Sequence, residues 1–576
     1  MIDFKKDEAL KRLNHSCAHV MAQAIKHLYP QAKFWVGPVV SEGFYYDIDL
    51  GDVVIKDEDI PKIEKEMKKI CKDGKRIVRM EISKQEALDM FQDDPYKVDL
   101  ISDLEDGTIS CYKQGDFVDL CRGPHEDTVK KCKYFKLLKH SGAYWKGDKN
   151  NQVLQRIYGV CFPTKEELDA HLALMEEAKK RDHRKLGKEL GIFMMSEYAP
   201  GMPFFLPNGV ILKNVLQNYW YKEHTKEGYD FIQTPIMMSR DLWEVSGHWQ
   251  NYQENMYTSS IDDRQFAIKP MNCPGSLLVY KNGLYSYKDL PLRLGELGQV
   301  HRHEASGALN GLFRVRTFLQ DDAHIYMTPD QIEEEVIRLI RFIDRVYASL
   351  NLTYTIELST RPEEKYIGDL AIWQKSEEAL AKACQMAGKS YEINPGDGAF
   401  YGPKLDFHVQ DSLGRVWQCG TIQLDMNLPE RFDIHYIDRQ GKKARPVMLH
   451  RVIFGSVERF IGILIEHFAG AFPFWLAPEQ VRILPVNNEY HGSYAAKVKE
   501  QIEQHGFRVT IDDREEKLGY RIREGQMKKI PYVLVLGDAE KENDTVTYRQ
   551  YGKQEQTTMP IDALLTMFQK VEDEKL

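Results

Sequence analysis

The 576 residues include 78 Lys and Arg against 87 Asp and Glu, and this net charge of −9 excludes a chain coated with positive charge for non-specific nucleic-acid binding. With 43% hydrophobic and 29% charged residues, the composition excludes a disordered chain and predicts several globular domains. The nine cysteines are scattered and do not form a disulfide framework. No apolar run approaches the roughly 20 residues of a membrane span, so we expect a cytoplasmic protein without membrane contact.

Two pairs of possible metal ligands mark the first 163 residues. The opening helix, predicted over 7–29, places His15 and His19 four residues apart on one face. Far downstream, Cys121 and His125 have the same spacing and enclose a Gly-Pro turn. Together they could form a Cys/His₃ zinc set, although two histidines at this spacing are as often only a hydrogen-bonded pair. The second pair favours a site.

Residues 164–190 predict one helix between two domains. Thr164 is the predicted N-cap, and Glu167 follows three residues later as in a capping box. The end of this helix is strongly basic. A charge run of this kind is usually solvated surface, and a role facing nucleic-acid phosphates is the alternative.

Residues 297–327 predict two strands joined by a turn rich in Gly, Ala, Ser and Asn. Alternation along the second strand collects polar and aromatic side chains on one face: Arg314, Arg316, Phe318, Gln320, Asp322 and His324. The first strand adds Arg302 and Glu304. A strand facing water could be equally polar, but Val315, Thr317 and Leu319 supply a packed opposite face. The pattern therefore indicates the floor of a pocket for an anionic, aromatic ligand.

Further segments of residues 191–477 carry isolated functional groups. A helix over 211–227 leads into a predicted strand over 229–237, and residues 266–275 predict a strand that breaks into a helix. The helix predicted within 455–468 is apolar almost all round, hence buried. Arg459 lies inside it and needs an anionic partner, either a structural carboxylate or a ligand. Residues 478–576 alternate strands and helices, which favours a small α/β domain.

The sequence RHEASGALNGLFRVRTFLQDDAH resembles motif 2 of the class II aminoacyl-tRNA synthetases, and the threonyl branch in particular. HSCAH and DLCRGPH resemble the editing domain of that branch, 211–237 resembles the motif 1 dimer element, and 455–468 resembles motif 3. The resemblance implies an α+β multidomain chain. Its parts would be an α+β editing domain (1–163), a linker helix (164–190), a catalytic domain with a central antiparallel sheet flanked by helices (191–477) and an α/β anticodon-binding domain (478–576).

The same resemblance implies an activity. Members attach L-threonine to threonine tRNA through a threonyl-adenylate made from ATP, and the N-terminal domain hydrolyses mischarged seryl-tRNA. The expected partners are threonine tRNA, L-threonine, ATP and a second copy in a homodimer, with Mg²⁺ and one Zn²⁺ per subunit in the catalytic site. Members commonly begin with a small ubiquitin-like domain, and we expect a form without it, natural or trimmed.

Roles for individual residues also follow from the resemblance. Arg302 and Arg459 would be catalytic. The ATP contacts would be Arg302, Glu304, Arg314, Phe318, Gln418, Thr421, Ser456 and Arg459, and the threonine contacts Gln320, Asp322, Tyr401 and Gln423. Zinc would be held by Cys273, His324 and His450. Editing would use His15, His19, Lys97, Asp119, Cys121 and His125, and the anticodon readers would be Glu540 and Arg549.

Two other functions fit parts of the sequence. A non-catalytic relative could bind RNA as a regulator, but Arg302, Arg459 and the Cys/His/His set would then have no use. A metal-dependent hydrolase could act through the N-terminal set alone, but most of the chain would then have no purpose. Whether the editing set holds a metal stays open, because its ligand types permit one and the resemblance argues against one.

Overall fold

The computed structural model describes residues 2–105, 107 and 109–575 and divides into two compact units, Met1–Glu177 and Ala178–Leu576. Helices and antiparallel sheets occur in both units, as predicted for an α+β chain. None of the helices in the described part of the chain has the length and apolar character needed to span a bilayer.

The N-terminal unit packs helices against an antiparallel sheet. Its helices are α1 (Glu8–Leu28), α2 (Ile60–Asp73), α3 (Lys84–Met90), α4 (Pro95–Ser102) and the start of α5 (Lys165–Arg181). Its strands are β1 (Lys33–Phe34), β2 (Val39–Val40), β3 (Gly43–Asp49), β4 (Ile77–Glu81), β5 (Ser110–Gln114), β6 (Phe117–Leu120), β7 (Tyr134–Tyr144) and β8 (Val153–Phe162). Strands pair in the order β1-β3-β8-β7, with β2 on β3, and β4-β5-β6 form a separate sheet.

Helix α1 confirms the helix predicted at the start of the chain. The Asp7 carboxylate accepts hydrogen bonds from the backbone N–H groups of Ala9 and Leu10, both at 3.0 Å. These bonds satisfy donors that a helix leaves unpaired at its first turn. The helix buries Cys17 and Met21 in the core of the unit.

The linker segment is two helices, so the prediction of one helix over 164–190 is wrong. The predicted capping box at Thr164 is confirmed, because Glu167 N donates to Thr164 Oγ1 at 3.2 Å and Thr164 N donates to Glu167 Oε2 at 3.1 Å. Helix α5 ends at Arg181, and α6 (His183–Glu189) begins after Asp182. The Asp182 side chain accepts from Arg184 N, so this residue caps a new helix instead of continuing the old one.

The C-terminal unit contains most of the chain. Its first helices are α7 (Pro207–Lys226), α8 (Arg240–Ser246), α9 (His248–Tyr252), α10 (Cys273–Lys281), α11 (Ile332–Ala348), α12 (Leu370–Met386), α13 (Leu428–Arg431) and α14 (Val457–His467). Its first strands are β9 (Phe193–Met194), β10 (Phe204–Phe205), β11 (Asp230–Phe231), β12 (Met237–Ser239), β13 (Thr258–Ile261), β14 (Arg264–Ile268), β15 (Leu292–His301), β16 (Thr317–Met327), β17 (Thr353–Ser359), β18 (Glu392–Asn394), β19 (Lys404–Gln410), β20 (Val416–Asp425), β21 (Tyr436–Ile437), β22 (Lys443–Ala444) and β23 (Val447–Val452).

A mainly antiparallel sheet organises this unit. Within the described residues its strand order is β11-β15-β16-β23-β20-β19-β17-β18. Strands β15 and β16 form the predicted hairpin, with His301 opposite Thr317 at the end next to its loop. Helices α11 and α14 cover the sheet, and Leu339 and Ile463 belong to its buried core.

The register of three neighbouring strands fixes the centre of the sheet. His324 on β16 lies directly opposite His450 on β23, and His450 in turn lies opposite Gln423 on β20. Directly opposed residues of antiparallel strands point their side chains to the same face. Three residues that are distant in the sequence therefore share one surface.

The strand predicted over 229–237 is wrong as a single strand. Asp230–Phe231 pairs parallel to β15 at the edge of the main sheet, whereas Met237–Ser239 belongs to a small sheet with β14. Pro235 lies between the two pieces and has no N–H to donate to a strand ladder.

The C-terminal segment forms the small α/β fold predicted from its alternating pattern. Its strands are β24 (Val481–Pro485), β25 (Val509–Ile511), β26 (Tyr532–Leu536), β27 (Thr545–Gln550) and β28 (Gln556–Pro560), and its helices are α15 (Asn488–Gln504), α16 (Leu518–Met527), α17 (Asp538–Asn543) and α18 (Ile561–Asp573). The order is β25-β24-β26-β27-β28, with the first three strands parallel.

Candidate functional site

Cys273, His324 and His450 converge in the C-terminal unit. Their possible ligand atoms all lie within 4.8 Å of one another, and all three side chains are buried. Helix α10 begins at Cys273, while β16 and β23 present the two histidines from opposed positions. The structure thus brings the predicted trio together.

The trio has the chemistry of a zinc site. Both ring nitrogens of His324 are buried without a hydrogen-bond partner among the described residues, which is costly unless something else pairs with them. The Asp425 carboxylate lies 2.8 Å from His450 Nε2, the arrangement of a carboxylate that orients a metal-binding histidine. Burial raises the pKa of the Cys273 thiol and lowers that of His324, so charging either group without a nearby cation is costly. One thiolate and two imidazoles suit Zn²⁺ and leave a coordination position for substrate.

The predicted threonine contacts surround this trio. Tyr401 stacks on the His450 ring with centroids 4.7 Å apart and donates its hydroxyl to Gln423 Oε1 at 2.5 Å. Asp322 is buried, and its Oδ1 lies 3.8 Å from His324 Nε2. Burial raises the pKa of Asp322 to about 6. Gln320 Oε1 is buried without a partner among the described residues.

An open cleft of about 380 Å³ adjoins Gln320 and collects every predicted ATP contact. Its lining comprises Arg302, Glu304, Phe313, Arg314, Val315, Phe318, Gln320, Gln418, Cys419, Thr421, Gly455, Ser456 and Arg459. Two aromatic rings, two amides and three guanidinium groups thus face one space. This lining suits a ligand with a flat base and several negative charges.

Arginines in this cleft differ in what holds them. Arg302 donates to the Pro270 carbonyl at 3.1 Å and lies over the Phe318 ring at 5.2 Å. Within the described residues Arg459 has no carboxylate in ion-pair contact, and its Nε is buried without a partner. Arg314 instead pairs with Glu304, with Nε 3.0 Å from Oε2. Of the two partners considered for Arg459, the geometry favours a ligand.

Arg316 and Lys404, two cations near this site, have structural partners. Arg316 precedes β16 and donates to the backbone carbonyl of Glu304 at 2.9 Å, so it holds the hairpin loop and does not line the cleft. Its predicted place on the pocket face of the strand is wrong, because the strand begins only at Thr317. Lys404 on β19 forms ion pairs with Asp397 at 2.9 Å and with Asp406.

The four predicted editing residues of the Cys/His₃ set also meet, in the N-terminal unit. Cys121 Sγ lies 3.2 Å from His15 Nε2 and 3.2 Å from His125 Nε2. The His19 and His125 ring centroids are 4.3 Å apart, and all four possible ligand atoms lie within 4.8 Å of one another. Ser16 Oγ, on the same helix, lies 3.2 Å from His125 Nδ1.

A buried ion pair lies next to this Cys/His₃ set. Lys97 Nζ lies 2.6 Å from Asp119 Oδ1, with both side chains almost inaccessible to water. Tyr46 donates its hydroxyl to the other oxygen of Asp119, and His19 Nε2 lies 3.6 Å from that oxygen. The predicted residues Lys97 and Asp119 are therefore next to the Cys/His₃ set.

Burial sets the protonation of the Cys/His₃ set. It lowers the pKa of His15, and for His19 and His125 it lowers the pKa far below the usual value, with neighbouring histidines adding to the effect. Burial also raises the pKa of Cys121 to about 12. At neutral pH the pocket therefore holds neutral imidazoles that can accept a proton and a thiol that is not a ready nucleophile.

The two predicted anticodon readers lie on neighbouring elements of the small α/β fold. Glu540 on α17 accepts from Gly537 N at 2.9 Å and from Thr547 Oγ1 at 2.7 Å. Thr547 and Arg549 are two residues apart on β27 and so share a face. The structure thus places the two residues near one surface, although Glu540 is already engaged in capping its helix.

Family comparisons agree with this arrangement. The chain matches the tRNA synthetase class II core domain (G, H, P, S and T) over residues 257–468, an anticodon binding domain over 480–571 and the threonyl and alanyl tRNA synthetase second additional domain over 109–158. The threonine–tRNA ligase of Clostridium tetani is 54% identical over 552 residues, which cover 95% of this chain and 86% of the relative. The chain belongs to the threonine–tRNA ligase family.

Other members support the same assignment. The Fusobacterium nucleatum threonine–tRNA ligase is 55% identical over 98% of this chain and 92% of its own length. The crystal structure of the RNA binding domain of threonyl-tRNA synthetase from Cryptosporidium parvum covers 68% of this chain and 98% of its own, with a TM-score of 0.66 and 41% identity. The predicted family, fold class and enzyme class are confirmed.

The sequence did not predict one residue next to the trio, His248. His248 Nε2 lies 3.7 Å from Cys273 Sγ and 3.1 Å from Met271 Sδ, and His248 Nδ1 lies 2.8 Å from Ser246 Oγ. Burial lowers the pKa of His248 to about 3, so the ring is neutral beside the trio. A lone histidine 25 residues before the cysteine gives no spacing signal.

Proposed function

We propose that this chain makes threonyl-adenylate from L-threonine and ATP in the C-terminal unit, transfers the threonyl group to threonine tRNA, and hydrolyses seryl-tRNA in the N-terminal unit. The observation that carries the proposal is the meeting of Cys273, His324 and His450 beside the cleft that contains Arg302 and Arg459. The division into residues 1–163, 164–190, 191–477 and 478–576 is part of the proposal.

The cleft residues would bind ATP by stacking and charge. Phe318 would stack on adenine and Glu304 would accept from its amino group. Arg302 would bridge the α-phosphate and the threonine carboxylate, while Arg459 and Arg314 would hold the outer phosphates together with Mg²⁺. Gln418, Thr421 and Ser456 are further contacts in the lining. Because Arg314 and Glu304 pair with each other, ATP would have to separate them, and the exposure of Arg314 makes this inexpensive.

Activation then depends on position and charge neutralisation. An oxygen of the threonine carboxylate attacks the α-phosphorus, the bond to the bridging oxygen breaks, and pyrophosphate leaves. A ribose hydroxyl at the end of the tRNA next attacks the acyl carbon, and AMP leaves. Preorganised cations at the developing charge are usually the largest contribution to such reactions.

Cys273, His324 and His450 would hold one zinc ion per subunit, which when bound supplies ligand positions for the amino group and β-hydroxyl of threonine. Gln320, Asp322, Tyr401 and Gln423 would enclose the rest of the amino acid. Such a site would reject valine, which has a methyl in place of the hydroxyl, whereas a hydrophobic pocket separates such isosteres by only about 10²-fold.

Serine keeps the hydroxyl and lacks only a methyl, which is worth roughly 10–200-fold. The proposed remedy is hydrolysis of the seryl ester in the N-terminal pocket. His15, His19 and His125 would orient a water and accept its proton, while Lys97 and Asp119 fix the polar floor and Cys121 remains a thiol. This chemistry requires no metal, and metal content separates the alternatives, because a metal-loaded editing set would give two ions per chain.

One comparison of variants tests the proposal. Wild-type protein should catalyse threonine-dependent exchange between ATP and pyrophosphate, and Cys273→Ala should lose both the exchange and one zinc per chain. The double variant of His15→Ala and His19→Ala should keep the exchange and accumulate seryl-tRNA. Absence of exchange in the wild type would defeat the ligase proposal, and loss of all activity in the double variant would favour a free-standing hydrolase.

A homodimer is the proposed assembly. Exposed apolar side chains occur on α7 and in the segment that follows it, including Tyr221, Phe231 and Ile236. This segment resembles the motif 1 dimer element, and the strand Asp230–Phe231 lies at an edge of the main sheet. Light scattering should give twice the chain mass, and Phe231→Glu should halve it.

A further inference from the structure

His183 in the linker helix α6 is a buried histidine for which the proposed reaction gives no role. Its Nδ1 lies 2.7 Å from Glu466 Oε1, and its Nε2 accepts a hydrogen bond from the backbone N–H of Leu312 at 3.0 Å. Glu466 also accepts from His183 N at 2.9 Å and pairs with Arg415 at 2.5 Å. Asp182, His183 and Glu466 have the composition of a metal site, but both ring nitrogens of His183 already have protein partners.

These contacts fix the tautomer of the ring. A backbone N–H can only donate, so His183 Nε2 must be the acceptor and Nδ1 must carry the hydrogen that is donated to Glu466. The ring therefore connects two elements of the ATP cleft. Glu466 belongs to α14, which also carries Arg459, and Leu312 belongs to the loop between β15 and β16.

The contact continues from Leu312 into the cleft through Phe313. The Phe313 ring lies 4.0 Å from the His183 ring and 4.3 Å from the Trp417 ring, measured between centroids. Arg459 lies over Trp417 at 5.9 Å, and Phe313 itself lines the cleft. A continuous row of packed side chains therefore joins the linker helix to the proposed ATP-binding surface.

Two glycines make room for this row. A Cβ at Gly311 would lie 2.2 Å from His183 Nε2, and Gly311 also has a φ of +49°, which favours glycine. A Cβ at Gly462 on α14 would lie 3.0 Å from the Phe313 ring. The loop can approach His183, and Phe313 can approach α14, because neither position has a side chain.

We propose that His183 is a positioning residue for ATP: it holds the Leu312–Phe313 segment against α14 and so sets the wall of the ATP cleft from the linker helix. This inference rests on the proposed function of the cleft. None of the predicted threonine contacts lies on the Leu312–Phe313 segment or on α14, so His183 should affect ATP and not the amino acid.

Two substitutions separate the two hydrogen bonds of the ring. The amide of asparagine falls near the position of Nδ1, so His183→Asn keeps a donor for Glu466 and removes the acceptor for Leu312 N. The longer His183→Gln keeps an acceptor near Nε2. Loss of one buried hydrogen bond corresponds to a change of about tenfold in a binding constant. We expect His183→Asn to raise the KM for ATP about tenfold in pyrophosphate exchange, with the KM for threonine unchanged, and His183→Gln to stay within about threefold of wild type.

The control is Lys188→Ala, because Lys188 is exposed on the same helix, and this variant should leave both KM values unchanged. Gly311→Ala would place a methyl group against the His183 ring and disturb its contact with Leu312 without altering His183 itself. It should raise the KM for ATP and not that for threonine. Equal rises in both KM values, or a lower Tm with an unchanged KM for ATP, would overturn the inference. Calorimetric titration of each variant with ATP keeps the test separate from catalysis, because a wild type that binds ATP without exchange defeats the proposed function alone.

Discussion

Removing zinc should destabilise the C-terminal unit, and the size of the effect can be worked out in advance. A ligand that binds only the folded chain stabilises it by about 4 kcal/mol at a thousandfold excess over its Kd. The cost visible at the site has the same order, because His324 is fully buried with both ring nitrogens unpaired among the described residues, and each such group costs about 1–3 kcal/mol. Since the entropy of unfolding is about 2.1 cal/mol/K per residue, a loss of about 4 kcal/mol from the unit Ala178–Leu576 should lower its Tm by about 5 °C.

Differential scanning calorimetry with and without a zinc chelator measures this fall. Cys273→Ala should show the lowered Tm in both conditions, since it lacks one of the three proposed ligands. Cys121→Ala, which alters the N-terminal pocket instead, should keep the response of the C-terminal unit. The reasoning would be refuted if chelation removed the zinc without moving the Tm of the wild type, or if Cys273→Ala kept its zinc and its response.

Three further results are expected. Arg459→Met should lower pyrophosphate exchange by about 10²–10³-fold, the usual loss for one preorganised donor, and exchange assays that show an unchanged rate would contradict its role with phosphate. Lys97→Met leaves a buried carboxylate unpaired at a cost of about 3–5 kcal/mol, so calorimetry should show a less stable N-terminal unit and deacylation assays should show lost hydrolysis, with intact exchange. Burial alone would lower the pKa of His27, but Glu66 and Asp116 outweigh it and raise the pKa above 6.5. The stability that His27 contributes is therefore complete below pH 6.5 and lost as the pH rises through the folded value, and His27→Gln should flatten that decline in denaturant titrations.

Local patterns predicted only part of the metal trio. Strand alternation put His324 on the polar face of its strand, because alternation depends only on neighbouring residues. The convergence of His450 on that face depends on the pairing of β16 with β23, and the family resemblance alone predicted it. The prediction that a cysteine at the start of a helix would join them came from the family resemblance, since nothing in the spacing indicates contact.

Failures of the sequence reasoning concern contacts between distant segments. The break at Asp182 was missed because the basic helical pattern continues through it, whereas the side chain prefers to cap the helix that follows. The ion pair of Arg314 with Glu304 was also not foreseen, because it forms across the loop, with Nε 3.0 Å from Oε2. His183 gave no signal, because its importance depends on the tertiary position of Leu312, 129 residues away.

The two proposed sites explain each other chemically. Valine and threonine are nearly the same size, so a site that distinguishes them must test for the hydroxyl, and a metal ligand set tests for it directly. The same test accepts serine, because the missing methyl is worth only about 1–3 kcal/mol. Correction must therefore follow ester formation and must use hydrolysis, which neutral imidazoles beside a buried ion pair can support. The N-terminal unit has its own hydrophobic core, so its pocket can be altered while the C-terminal unit continues to charge tRNA.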